Sequence, residues 1–230
     1  MELTRRGFVA GTTGLAAGAA LTLVGAPAAE AAGRTIRVGS RGRAVVRLQR
    51  RLGRLGYWCG AADGVFGPLT EQAVFAIQKV SGIVRDGVCG PVTWSKVDTG
   101  VRPRARTRHH RWIEIDKRRQ VLLVVRSGRV EHILNTSTGS GRWFRYRGRS
   151  MRALTPDGRF RVFRSVNHWD YGALGGLYRP MYFNGGIAVH GATRVPPWPA
   201  SHGCCRVSVA AMDMLWQTRE IRVGRRVLVH

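Results

Sequence analysis

Apolar residues recur at spacings of three and four through Val45, Leu48, Leu52 and Leu55, so residues 42–55 predict an amphipathic helix that stops at Gly56. A second helix is predicted over 71–80, with a further short turn near Trp94. Beyond residue 110 the pattern changes. Residues 112–116, 120–126, 129–135, 158–165 and 181–189 are short runs rich in Val, Ile, Phe and Tyr, as strands are, with Ser127-Gly128 as a hairpin turn. One strong helical pattern interrupts this half, over 208–218, with Ser208 as its N-cap and Ala211, Met214 and Leu215 on one face. The fold class read from these elements is α+β. A small three-helix N-terminal domain over 36–98 precedes a mostly β domain over 111–230. Residues 99–110 are Arg-rich and lack apolar periodicity, so they read as an exposed linker.

The first domain contains an internal echo. Asp63-Gly64-Val65-Phe66-Gly67-Pro68-Leu69-Thr70 recurs 23 residues later as Asp86-Gly87-Val88-Cys89-Gly90-Pro91-Val92-Thr93. Two copies are too few for a solenoid, so they predict two equivalent turn-into-helix entries. The Asp-Gly pairs supply the turns, and Thr70 and Thr93 are the expected N-caps.

Charge and the N-terminus narrow the setting. Thr4-Arg5-Arg6-Gly7-Phe8 opens into an uncharged stretch rich in Ala, Gly and Thr, closed by small residues around Ala26–Ala32, which reads as a twin-arginine export signal over 1–32. Its Gly and Thr content favours cleavage over a stable membrane anchor. The chain carries 38 basic and 13 acidic residues, a formal net charge of +25, which calls for an anionic partner. Export and the lack of any helix-turn-helix, zinc-finger or RNP pattern disfavour nucleic acid. Anionic wall polymers suit the compartment better.

The chemistry concentrates in one window. Ser201-His202-Gly203-Cys204-Cys205-Arg206 follows His190-Gly191, and together they offer a thiol, two imidazoles and a cation. A free thiol titrates at about 8.5, so a nucleophilic Cys204 needs a base or cation beside it, for which His190 and His202 are the candidates. Gly203 before the thiol lets backbone N–H groups approach a developing oxyanion, and Arg206 could hold a substrate carboxylate. Zinc competes for the same residues, since Cys204, His202 and His190 are legal ligands. Against it, adjacent cysteines on an extended segment point to opposite faces, and no C-x-x-C, H-E-x-x-H or H-x-x-E-H pattern occurs. No metal and no cofactor is expected.

His190-Gly191 followed by Ser201-His202-Gly203-Cys204 resembles the active-site signature of the L,D-transpeptidases with a YkuD-type catalytic domain. Thr155-Pro156-Asp157-Gly158-Arg159-Phe160, Ser137-Thr138-Gly139 and the closing stretch Val223–Val229 resemble further family segments. The resemblance implies a YkuD-like β sandwich and an enzyme that forms 3→3 cross-links between peptidoglycan stem peptides through a Cys acyl-enzyme, releasing D-Ala. It implies Cys204 as nucleophile, His190 as general base oriented by the Gly191 carbonyl, and the Gly203 and Cys204 N–H groups as the oxyanion hole. His202, Arg206 and Ser201 fall at positions that shape the site or contact substrate. Cys205 stands where the family has Ile or Val and is read as packing. Tyr182 is the aromatic picked for substrate contact, on the strand expected to lead to His190, and residues 139–152 are a candidate lid.

Leu55-Gly56-Tyr57, Asp63-Gly64, Thr70-Glu71, Gln78 and Thr93-Trp94 resemble the three-helix peptidoglycan-binding domain over 36–98. Of the three pairings that four cysteines permit, the division into domains favours a Cys59–Cys89 disulfide. The expected partners are stem peptides and glycan, with the protein exported, wall-associated and monomeric. Two alternatives stay open: an L,D-carboxypeptidase that uses water as acceptor, and a catalytically inert wall-binding protein.

Overall fold

The computed structural model describes residues 35–230; the export signal read at 1–32 lies outside them. Four helices occur among the described residues: α1 (Arg43–Arg54), α2 (Pro68–Ser81), α3 (Pro91–Asp98) and α4 (Val209–Gln217). The first sheet runs β3 (Arg129–Asn135), β2 (Val121–Arg126), β1 (Arg111–Asp116), β12 (Arg226–Val229) and β6 (Gly158–Arg161). The second runs β11 (Cys205–Ser208), β10 (Ile187–Ala192), β9 (Gly175–Asn184) and β7 (Arg164–Ser165), with β8 (Trp169–Gly172) also paired to β9. A separate ribbon pairs β4 (Trp143–Tyr146) with β5 (Arg149–Arg152).

The first sheet is covered on both sides, which explains why β2 reads Val-Leu-Leu-Val-Val without a polar break. Val121, Leu123 and Val125 face a core shared with Val45, Leu48, Leu52, Tyr57 and Ala73 of the helical unit. Leu122 and Val124 face the opposite way, into a core with Met181, Phe183, Val189 and Val207 of the second sheet and Met212 and Leu215 of α4. Burial of such apolar surface contributes about 25 cal/mol per Å², so the helical unit is fastened by packing as well as by chain connectivity.

The 99–110 segment has no helix or strand and is exposed at most positions, but it is strapped to the first sheet. Arg106 and Thr107 donate their backbone N–H groups, and Thr107 its hydroxyl, to the buried Glu114 carboxylate at 2.6–3.1 Å. A buried carboxylate without hydrogen bonds would be costly, so this segment is held down by the donors it supplies to Glu114. At Gly56 the helical unit touches the sheet edge: Ile133 N donates to Gly56 O at 2.8 Å and Trp58 N to Ile133 O at 3.3 Å. A Cβ on Gly56 would meet Glu131 O at 2.9 Å, and its φ of +83° also requires glycine.

The echo is structural. Gln49 donates to Asp63 Oδ1, Val65 O and Thr70 Oγ1 and accepts from Gly64 N. Gln78 repeats this with Asp86 Oδ1, Val88 O, Thr93 Oγ1 and Gly87 N. Thr70 and Thr93 are therefore not N-caps. The helices begin earlier, at Pro68 and Pro91 after Gly67 and Gly90, because proline at the first turn has no N–H to satisfy, and the threonines serve the glutamines.

The Cys59–Cys89 bridge is also corrected, since both are free thiols. They lie buried in the apolar core, and the Cys59 thiol donates to Gln49 O at 3.5 Å. Burial pushes the Cys59 pKa up to about 11 and that of Cys89 higher still, which starves both of the oxidisable thiolate. Ellman titration of denatured, unreduced protein is expected to count four thiols; a count of two would overturn this.

Lys79 of α2 is buried, and its Nζ crosses to the first sheet, within hydrogen-bond distance of Gln120 O at 2.8 Å, Thr136 O at 2.9 Å and Asn135 Oδ1. Burial, with Arg85 nearby, pushes its pKa down to about 6, and three oxygen acceptors ring the nitrogen. Gln120 O keeps the Thr136 N–H at 3.1 Å, so Lys79→Met keeps most of the volume but strands Thr136 O and Asn135 Oδ1, at about 1–3 kcal/mol each. Thermal denaturation should show Tm falling by roughly 5–10 °C.

Candidate active site

The parallel pairing of β10 with β11 places Val189 opposite Cys205 and His190 opposite Arg206. Alternation then sorts the side chains. Val189, Cys205 and Val207 point into the core, so Ala188, His190, Cys204 and Arg206 belong to the other face. Ala188 N donates to Cys204 Sγ at 3.4 Å, which brings the thiol against β10 two residues before His190. Cys204 is partly accessible, whereas Cys205 is fully buried.

His190 Nδ1 lies 2.8 Å from Gly191 O. A carbonyl only accepts, so Nδ1 carries the hydrogen and Nε2 keeps its lone pair. Gly191 is required by packing: a Cβ there would meet Tyr178 Cδ1 at 2.8 Å. Burial pushes the His190 pKa down to about 4, opposed by the Gly191 hydrogen bond and assisted by Arg206. Burial also raises Cys204, against the Ala188 N–H and Arg206. Both shifts favour the neutral form of each group, a thiol at Cys204 and an imidazole at His190.

The loop before the thiol is held by its own hydrogen bonds. Gly203 N donates to Ser201 Oγ at 3.0 Å, and Ser201 Oγ donates to Cys204 O at 2.6 Å. The Gly203 N–H read as an oxyanion donor is thus engaged, and Ser201 is buried with its hydroxyl committed to the loop. Gly203 has φ +144°, and a Cβ would meet Leu154 O at 2.9 Å. Thr155, which carried no role in the sequence reading, donates to Gly203 O at 2.6 Å and accepts from Gly139 N at 2.9 Å. Ser137 and Thr138 bind the same loop through Arg206 and Ser201. The three separated stretches around Ser137, Thr155 and Ser201 therefore meet around the thiol. The signal for Thr155 was its place in the Thr-Pro-Asp-Gly-Arg-Phe stretch.

Tyr182 does not lie on the strand leading to His190. The expected strand over 181–189 is two antiparallel strands folded at Gly185-Gly186, with Tyr182 on β9 paired to Ala188 on β10. Its OH donates to Asp170 Oδ2 at 2.7 Å, and the Arg164 guanidinium covers its ring at 3.9 Å from the centroid. Burial, then the bond to Asp170, raise its pKa to about 12. Asp170 and Arg164 reach this site only through strand pairing, and no local sequence signal marks them. His202 is exposed, its ring 4.6 Å from that of Phe144 on β4. This contact closes one side of a cleft of about 300 Å³ between the β4–β5 ribbon and the loop before Cys204.

Comparisons with known proteins agree with this fold. A solved L,D-transpeptidase structure from Xylanimonas cellulosilytica DSM 15894 is 45% identical, with 86% of this chain and 98% of that chain covered and a TM-score of 0.83. An L,D-transpeptidase from Stackebrandtia nassauensis, at 21% identity over 85% of this chain and 94% of that one, shares the fold with a TM-score of 0.50. Among curated proteins, the zinc D-Ala-D-Ala carboxypeptidase of Streptomyces albus G is 43% identical over 65 residues, or 27% of this chain and 26% of that protein. The N-acetylmuramoyl-L-alanine amidase CwlM of Mycobacterium tuberculosis is 45% identical over 49 residues, or 21% of this chain and 12% of that protein. The chain thus spans only a minor part of these two curated relatives. A peptidoglycan binding domain family matches residues 41–97. The YkuD family, described as the L,D-transpeptidase catalytic domain, matches 110–229, the stretch that holds His190 and Cys204 on one sheet face, and the chain belongs to that family.

Proposed function

We propose that this protein is an exported cysteine transpeptidase that forms 3→3 cross-links between peptidoglycan stem peptides. The observation that carries the reading is the shared face of His190 and Cys204, with Nδ1 committed to Gly191 O and Nε2 free to take a proton. Cys204 Sγ attacks the carbonyl of the L-centre joined to D-Ala while His190 Nε2 takes the thiol proton. That proton passes to the departing D-Ala amine as the C–N bond breaks, leaving a thioester. An acceptor amine then attacks the thioester carbonyl, gives its proton through His190 to the departing sulfur, and restores the neutral dyad. Because neither member is ionised at rest, attack and proton transfer belong to one step. Arg206, on the same face, supplies a cation for a substrate carboxylate or the developing oxyanion. The export signal read at 1–32 and the net charge of +25 support action at an anionic cell wall.

The test is to incubate mature protein with disaccharide-tetrapeptide muropeptides and follow products by mass spectrometry. A cross-linked dimer that has lost one D-Ala is expected. Tripeptide alone would mean that water resolves the thioester and the protein is a carboxypeptidase. Release of no D-Ala would leave a wall-binding role.

A further inference from the structure

The cleft beside His202 is lined by two tryptophans that packing does not require to be visible. Trp143 on β4 is 69% exposed and Trp198 in the loop between β10 and β11 is 56% exposed, while Ser140, Phe144, Pro199 and His202 complete the walls. Two large exposed aromatics lining one concavity are uncommon without a ligand to cover them.

Trp198 is also held in place. Pro197 and Pro199 fix the backbone on either side. Ser137 Oγ donates to Trp198 O at 2.8 Å, and Arg85 Nη1 reaches from the helical unit to Pro197 O at 3.2 Å. Val195 O, further back in the loop, accepts from Asn135 Nδ2 at 3.1 Å and Gln72 Nε2 at 3.3 Å. A side chain presented on so fixed a backbone loses little freedom on binding, which is how a recognition surface keeps its affinity.

We infer that this cleft holds a pyranose ring of the peptidoglycan glycan, stacked on Trp143 and Trp198, while the attached stem peptide runs past His202 to Cys204. The inference rests on the transpeptidase reading and names the second part of its substrate. A pyranose presents a flat face of C–H groups with slightly positive hydrogens, which suits the electron-rich face of an indole, and a rim of hydroxyls. The Ser140 hydroxyl, the His202 ring and Arg142 offer that rim polar partners. The stem is long enough to reach: three residues separate the sugar from the bond that is cut, about 10 Å when extended, and His202 at the cleft edge lies two residues from Cys204, at most about 7 Å along the chain.

The experiment compares the parent protein with a Trp143→Ala/Trp198→Ala variant on two substrates, the disaccharide-tetrapeptide and the same tetrapeptide without sugar. The variant is expected to raise KM for the sugar-bearing substrate about tenfold, with its kcat and both constants for the free tetrapeptide unchanged. An equal loss on both substrates would make the cleft a peptide site, and no change on either would leave the tryptophans without a role; each result overturns the inference. Turnover of the free tetrapeptide tests the transpeptidase reading separately. A second measurement needs no catalysis. Cys204→Ala protein titrated with the disaccharide alone should give a saturable change in tryptophan fluorescence that is lost when Trp143 and Trp198 are also replaced, and its absence from the Cys204→Ala protein would sink the inference.

Discussion

Replacing Cys204 with alanine is expected to lower D-Ala release by about 10⁴-fold or more, because no other group on that face can form the thioester. Its folding should barely change, since the thiol is held by one long bond from Ala188 N at 3.4 Å and a contact of 3.7 Å to Gly186 O. Cys205→Ala should do the opposite. That sulfur is buried among Val189, Val207 and Met212, so its removal leaves a small void that costs about 1 kcal/mol of stability while turnover persists. Cys205 is fully buried on the core face while Cys204 is partly accessible, and this keeps the Cys205 thiol out of the chemistry. Denaturant melts beside muropeptide turnover for the two variants would separate these effects. Loss of turnover in Cys205→Ala with Cys204→Ala still active would exchange the assignments.

His190→Asn should reduce kcat/KM by about 10²–10⁴-fold, the usual contribution of a positioned base. The pH profile of the parent protein carries the sharper information. Only neutral imidazole can take the thiol proton, and burial has moved the pKa of His190 down to about 4. The base-competent form therefore persists as pH falls below the ordinary histidine value of about 6.5 and is lost only as pH passes through about 4. An acid limb of kcat/KM near 4, absent in His190→Asn, is the expected result. A limb near 6.5 would mean that the imidazole is as well solvated as in a free peptide and that its buried position is not the reactive one.

Much of the site was legible because its chemistry is local. Two residues of separation between Cys204 and Arg206, and strict alternation through Cys205 and Val207, already divide the segment into a reactive face and a core face. What could not be read is what depends on partners distant in sequence. Whether the Gly203 N–H is free depends on how the Ser201 side chain turns, and which carboxylate meets Tyr182 depends on β8 folding against β9. A single strand over 181–189 passes over Asn184-Gly185, a hairpin dipeptide set within an apolar run. The N-caps were misplaced because Thr70 and Thr93 look the same whether they cap a helix or receive a glutamine amide from elsewhere. The unbroken run Val121–Val125 did hint that β2 is covered on both faces, but nothing in it names the helices as the second cover.

That double cover has a consequence for how the protein would act on a wall. With α1 and α2 sharing a core with β2 and β3, and Lys79 locked into carbonyls of the sheet, the span from the helical unit to Cys204 is set by packing rather than by a swinging tether. A tethered pair of modules could grip at one place and react anywhere within its leash. If the proposed activity holds, this one would behave as a caliper: wherever the helical unit seats on the polymer, the thiol would meet stems at one fixed offset, so the pattern of cross-links would carry the imprint of the molecule's own dimensions.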